Sequence, residues 1–525
     1  MKTAASSEQK SLTVRLAWLG RATPSQAALG FAVLALLLRA VHLSARPLWL
    51  DEAYSAWFSA RDWHYLWTVV PTYEPHPPFY YSVLKLWRGI AGGDAVALRG
   101  LSLLFSAITV PVMIAASLEL EKLRPTGRPM LNAAICGFLA AASPMFVLLD
   151  QEARPYALMI FAYAVAVLGL VRLLREFAAG ESGAWPSWLI LAAGTELALW
   201  SHGLGLIYAA CLAGTLVPAW LASPRPRQRI VRGALVAAVI LTAYAPCVAM
   251  MIGRVGEWGT GWLDWRPVML IQLFALYTVP LDVLTVGSAV AAVALLLLTK
   301  RALQRVVAER GWSADRALAL LWLGPPLIAV ALSALVVPVF LLRTLAPALA
   351  PFYLAIAAAL ARTDDAKERT LLTAALVVTL IPTAIQVALR PASERWDEVR
   401  LYLQQHVHAG DEVWLYPNDS ALPLDAAGPH TYVRRSLPGE YPATRFKGPV
   451  RAGSPAVVSL THDQAQAIAR DPKYRPIKTI WLIGRQSALF DPQFELPRAL
   501  RQVRKPGRME KWDYINVQPF YAHAD

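Results

Sequence analysis

Three short phrases hold most of the residues able to do chemistry. Pro47-Leu-Trp-Leu-Asp-Glu-Ala-Tyr-Ser55 sets Asp51 beside Glu52 in an apolar context, with Tyr54 close behind. Carboxylates held against apolar surface bind protons more tightly than in water, which suits a general base. Adjacent acids at a membrane end are also common as simple water-facing groups, so the pair gains weight only from its neighbours. Glu74-Pro-His-Pro-Pro-Phe-Tyr-Tyr81 fixes His76 in a stiff, extended loop, because each proline locks its own backbone angle and restricts the residue before it. There His76 is available to a phosphate, a metal or a sugar hydroxyl, and Glu74 is a candidate substrate contact. Gln151-Glu-Ala-Arg-Pro-Tyr156 carries Arg154, a forked cation matched to a phosphate, ahead of a helix whose N-terminus adds partial positive charge. An arginine at such a boundary also reaches lipid headgroups. Arg99 and Arg343 are secondary cationic candidates, with headgroup contact as the plainer reading of each. Tyr54, Tyr156, Glu196 and His202 are candidate substrate contacts. Glu196 and His202 sit near the outer end of one apolar span, where an ionisable group is a functional hypothesis by default.

The elements that must position these residues are membrane spans. The chain has 525 residues, 56% hydrophobic and only 16% charged, and its mean hydropathy is +0.41. Soluble domains carry roughly a quarter charged residues, so this is a polytopic α-helical membrane protein. The first apolar stretch lacks a small-residue cleavage pattern and does not read as a signal peptide. The net charge of +14 is best explained by basic loops that set orientation, with anionic lipid headgroups and a phosphate-bearing substrate as the charged partners and no role for nucleic acid. Cys136, Cys211 and Cys247 fall inside apolar runs as packing residues.

Eleven spans are expected, at about 24–43, 97–118, 131–149, 156–174, 186–202, 204–222, 231–252, 283–299, 317–337, 345–361 and 370–389. The stretch 268–281 is short and reads as interfacial or re-entrant, with two spans in 268–299 as the alternative count. Lys2, Lys10, Arg15 and Arg21 put the N-terminus in the cytosol, and with eleven spans every basic loop falls on that side. The aromatic first outer loop, 44–96, and the tryptophan-rich loop 257–265 then face outward, the latter as an interfacial belt. Residues 1–390 form the membrane domain. Residues 391–525 read as a small extracytoplasmic α/β domain, with a helix from Glu394, strands at 412–416, 456–460 and 479–483, and helices near 462–471 and 494–504.

In order, the phrases Leu-Trp-Leu-Asp-Glu-Ala-Tyr-Ser, Glu-Pro-His-Pro-Pro-Phe-Tyr-Tyr, Ala-Leu-Arg-Gly-Leu-Ser and Gln-Glu-Ala-Arg-Pro-Tyr-Ala-Leu resemble the C-type (GT-C) membrane glycosyltransferases. The nearest branch is that of bacterial protein mannosyltransferases, aminoarabinose lipid A transferases and core galacturonosyltransferases (families 39 and 83). The resemblance runs continuously over about 47–165 and is thin beyond 391. Val337-Pro-Val-Phe-Leu-Leu-Arg343 resembles the family's outer turn, with Thr344 where a tyrosine is common. His76 stands where aminoarabinose transferases have lysine. The resemblance implies transfer of a sugar from a polyprenyl-phosphate donor to an acceptor hydroxyl of a glycolipid, polysaccharide or protein, with inversion, on the non-cytosolic face of the inner membrane. It places the catalytic acid at Asp51, its neighbour at Glu52 and the carrier phosphate at Arg154. No cofactor is certain; a divalent cation stays open, with Asp51 and Glu52 as the acids to hold it. The competing reading is a transporter or flippase of lipid-linked sugars, which should show a repeat and midplane polar groups. The acids and arginines concentrate instead at one membrane face.

Overall fold

A computed structural model describes residues 23–221, 226–252, 265–451 and 454–523. The basic N-terminal tail and most of the tryptophan-rich loop, including Glu257, Trp258, Trp262 and Asp264, lie outside them. The described residues divide into two compact units, one of 23–43, 99–247 and 265–390, the other of 44–98, 248–252 and 391–523.

Among the described residues eight helices are long and apolar enough to cross a bilayer, and a ninth span is counted when Pro129–Ala142 and Pro144–Asp150, bent by 48°, are taken together. Proline opens both halves of that pair, and the Ser143 hydroxyl between them accepts the Phe146 N–H as a fresh helix cap. Trp185–Ser201 and Gly205–Leu221, 17 residues each, fall where the other two spans are expected. At 1.5 Å per residue each is about 25 Å long, slightly short of the hydrocarbon thickness. The segment at 268–281 is a single short helix, Leu270–Tyr277, after a 3-10 turn, and one span, Val286–Ala308, follows it. Basic loops meet at one end of this first unit. Arg124 pairs with Glu309 and Asp315, Arg301 with Glu368, and Arg128 donates to the Ala361 carbonyl at 2.7 Å.

Two spans approach each other at glycine. A Cβ on Gly169 would overlap the backbone nitrogen of Leu191, and one on Gly194 would overlap that of Ala166. Helices Tyr156–Ala178 and Trp185–Ser201 therefore pack backbone to backbone, as small residues allow between membrane helices.

The second unit is built on a six-stranded sheet: β1 Glu412–Tyr416, β2 Val433–Ser436, β3 Thr479–Arg485, β4 Lys505–Pro506, β5 Glu510–Trp512 and β6 Ile515–Tyr521. The path runs β2-β1-β3-β6-β4, with β5 paired to β6. Strands β2, β1 and β3 are parallel and β6 is antiparallel to β3. Alternate residues serve opposite faces, as the pleat requires. Trp414, Ile480 and Leu482 pack with Leu496 and Leu500 on one face, while Val413, Leu415 and Ile483 pack with Trp396 and Leu403 on the other.

The strand expected at 456–460 is not formed. The run is buried, but its backbone bonds irregular chain: Ala443 donates to the Ala456 carbonyl, Ser459 to that of Pro449, and Leu460 to the Tyr416 hydroxyl. Both edges of β1 are already taken, by β2 and β3, and a short apolar run signals burial before it signals a strand. Helices form at Trp396–His406, His462–Arg470 and Glu495–Val503, as expected.

Candidate functional site

Within the second unit, Asp51 and Glu52 occupy the first turn of helix Leu50–Ala60. Negative charge is favoured there by the helix dipole. Glu52 is buried at 1% exposure, and Asp51 is half-buried. Ser55 Oγ reaches back to the Asp51 carbonyl at 3.2 Å. Tyr54, three residues on from Asp51, donates its hydroxyl to Asp419 Oδ2 at 2.6 Å. Burial first, then the Asp419 charge and hydrogen bond, hold that hydroxyl well above its ordinary value, so it stays a donor. Glu74 accepts the Tyr81 hydroxyl at 3.0 Å, and His76 lies half-buried in the same proline-rich loop. Tyr441 wedges into this region, its ring 5.2 Å from those of both Tyr54 and Trp57 and 6.0 Å from Tyr73.

Within the first unit, the turn carrying Arg154 is fixed from several sides. Gln151 Nε2 donates to the Arg39 and Val41 carbonyls at 2.9 and 2.7 Å. Ser102 Oγ donates to the Glu152 carbonyl at 2.6 Å. Beneath it lies a buried ion pair, Arg39 Nε to Asp150 Oδ2 at 2.7 Å. Arg99 is buried and donates to the Leu43 carbonyl at 2.8 Å, so it helps shape the end of the first span.

The same unit gathers four of the expected site residues. The Arg343 guanidinium stands over the Tyr156 ring at 5.7 Å, and the His202 ring is 6.4 Å from that ring. The charges of Arg154 and Arg343 both bear on His202. Arg154 is buried at 5% exposure. Two guanidiniums, an imidazole and a phenol in one place form a set suited to a polyanionic group. Glu196 stands half-buried on the Trp185–Ser201 helix, within reach of Trp200.

Among the described residues no three His, Cys, Asp or Glu side chains gather as a metal set. Asp51 and Glu52 supply two adjacent carboxylates, and a magnesium ion held by one or two carboxylates completes its shell with water and substrate phosphate oxygens.

The pairing of four buried charged residues escaped the sequence reading: Arg39, Glu394, Asp419 and Arg485. Arg39 had a readable signal, an ionisable group inside an apolar span. Asp419 and Arg485 follow or end apolar strands, and polar residues at strand carboxyl ends are where α/β sheets place function.

Known structures share the fold. ArnT from Cupriavidus metallidurans in the apo state matches with TM-score 0.60 at 14% identity, over 93% of this chain and 97% of that one. ArnT bound to undecaprenyl phosphate matches with TM-score 0.55 at 13% identity and the same coverage. The oligosaccharyltransferase AglB from Archaeoglobus fulgidus, in complex with an inhibitory peptide and a dolichol-phosphate, gives 0.52 at 12% identity, over 94% of this chain and 74% of that one. No protein-family model and no curated protein matches the sequence. The chain has the GT-C fold, on a multi-pass membrane protein with a small C-terminal α/β sheet region.

Proposed function

We propose that this protein is a glycosyltransferase of the inner membrane. It moves a sugar from a polyprenyl-phosphate donor to an acceptor hydroxyl on the non-cytosolic face, with inversion at the anomeric carbon. The gathering of Arg154, Arg343, Tyr156 and His202 within the first unit carries this reading. It is supported by a fold shared with ArnT and AglB, whose structures hold undecaprenyl phosphate and dolichol-phosphate.

In the proposed step, Asp51 takes the proton of the acceptor hydroxyl. The oxygen forms a bond to the anomeric carbon as that carbon's bond to the phosphate oxygen breaks. The electron pair leaves with the lipid phosphate. A phosphate ester departs as a stable anion, so it needs positive charge more than a proton. Arg154 supplies that charge, aided by Arg343, with His76 and Glu74 as further contacts and Glu52 supporting Asp51. The acceptor is a glycolipid, polysaccharide or protein hydroxyl.

The test is transfer by purified wild type and Asp51→Asn from a panel of polyprenyl-phosphate sugars. Wild type should use at least one donor, and the variant should lose about 10²- to 10⁴-fold in rate, the usual worth of a general base. Equal rates remove Asp51 from the mechanism. Movement of the donor across vesicles without transfer would favour a flippase.

A further inference from the structure

The helix carrying Asp51 and Glu52 does not cap itself. Its N-cap is Trp49, whose side chain makes no capping bond, although the first N–H groups of a helix have no intrahelical partners. The N–H of Leu50 donates instead to Glu394 Oε2 at 3.0 Å, a carboxylate 344 residues away in sequence. The same oxygen accepts the Trp396 indole N–H at 2.7 Å. One turn along the helix, the Tyr54 hydroxyl is bound by Asp419 Oδ2. Arg485 lies between the two acids, with Nη1 3.3 Å from Glu394 Oε1 and Nη2 3.4 Å from Asp419 Oδ2. Glu394 and Arg485 are each 3% exposed and Asp419 is 1% exposed. Burial works against the Arg485 charge, but Asp419 and Glu394 outweigh it and Asp51 adds to them, so the guanidinium is held above its ordinary value.

The location has a topological meaning. Strand β1 lies between β2 and β3, so the chain leaves β1 and β3 toward opposite sides of the sheet. The carboxyl ends at such a switch point are where open α/β sheets bind ligands. Asp419 follows β1 and Arg485 ends β3. What they hold is a side chain of the acid-bearing helix.

We propose that Glu394, Asp419 and Arg485 are positioning residues that fix the register and tilt of helix Leu50–Ala60, and with it the carboxylate that serves as base. This rests on the reading of Asp51 as the base. The bonds to residues 50 and 54 bracket Asp51, and a displacement of about 1 Å at a reacting group costs about 10²-fold in rate.

The test uses the full chain in detergent. Tyr54→Phe removes one bond with little change of shape. Arg485→Met removes the bridge, and Arg485→Lys restores a charge without the fork. Both Tyr54→Phe and Arg485→Met should lower kcat by about 10- to 100-fold with donor KM within about twofold, and Arg485→Lys should recover part of the loss. Amide hydrogen exchange in Arg485→Met should quicken by about tenfold over residues 50–56 while β1 and β3 keep their protection. Unchanged kcat in all three variants overturns the proposal. So does equal loss of protection in β1 and β3, which would mean general unfolding. If wild type is inactive with every donor, the glycosyltransferase reading fails. The exchange experiment then decides the clamp alone, and unchanged rates at 50–56 overturn it.

Discussion

Arg154 sits in a turn held by Gln151, Ser102 and the ends of neighbouring spans, so the backbone that carries it is fixed. On the proposed mechanism, removing this charge should cost the reaction more than the fold. Arg154→Ala should lower kcat/KM for the donor by about 10²- to 10³-fold. Arg154→Lys should recover only part of that, because an ammonium keeps the charge and loses the fork. Steady-state kinetics with varied donor measures both, and an Arg154→Ala variant with wild-type kcat/KM removes this residue from the donor site. The Arg39–Asp150 pair belongs to stability. Arg39→Met leaves Asp150 buried and uncompensated and should cost about 3–5 kcal/mol, while Arg39→Met with Asp150→Leu should regain much of it, since an apolar pair of similar volume often replaces a buried ion pair without loss. Thermal unfolding of the single and double variants reads this directly. Residue identity alone exposed the acid and arginine phrases, because unlike residues crowd together there. It did not expose Arg39 with Asp150 or Leu50 with Glu394, whose partners are separated by 111 and 344 positions and leave no local pattern.

The elements were legible where hydrophobicity sets them. Apolar runs near bilayer length became helices within about five residues of their expected ends, except that Val286–Ala308 runs well past the expected end at 299; in lipid the backbone has few other ways to satisfy itself. Strands β1 and β3 were readable as buried runs. Strand β2 was not, because Arg434 and Arg435 at an edge hide its character. Strand β6 was masked by Pro519, which lacks a ladder donor yet pairs opposite Trp481. The close approach at Gly169 and Gly194 gives a prediction at this scale. Gly194→Val should force helices Tyr156–Ala178 and Trp185–Ser201 apart and cost about 1–3 kcal/mol, the usual toll of overpacking. A lowered melting temperature checks it, and no change would mean that the helices yield freely.

For the whole molecule, the alternation of basic loops predicts an orientation that labelling can test. With Cys136, Cys211 and Cys247 replaced (all three are buried), single cysteines at the exposed positions Lys367 and Asp463 should behave oppositely. Asp463→Cys should react with an impermeant maleimide in intact cells, and Lys367→Cys only after permeabilisation. The reverse pattern would turn the proposed topology over. The cap on Leu50 also has a consequence in time. The ribosome adds roughly 5–20 residues per second, and Glu394 follows Leu50 by 344 positions, so the start of the helix waits on the order of 20–70 s for its partner to be made. Until then the newborn chain lacks the carboxylate that seats its acidic helix, and premature termination anywhere before residue 394 leaves that helix unseated however well the spans insert.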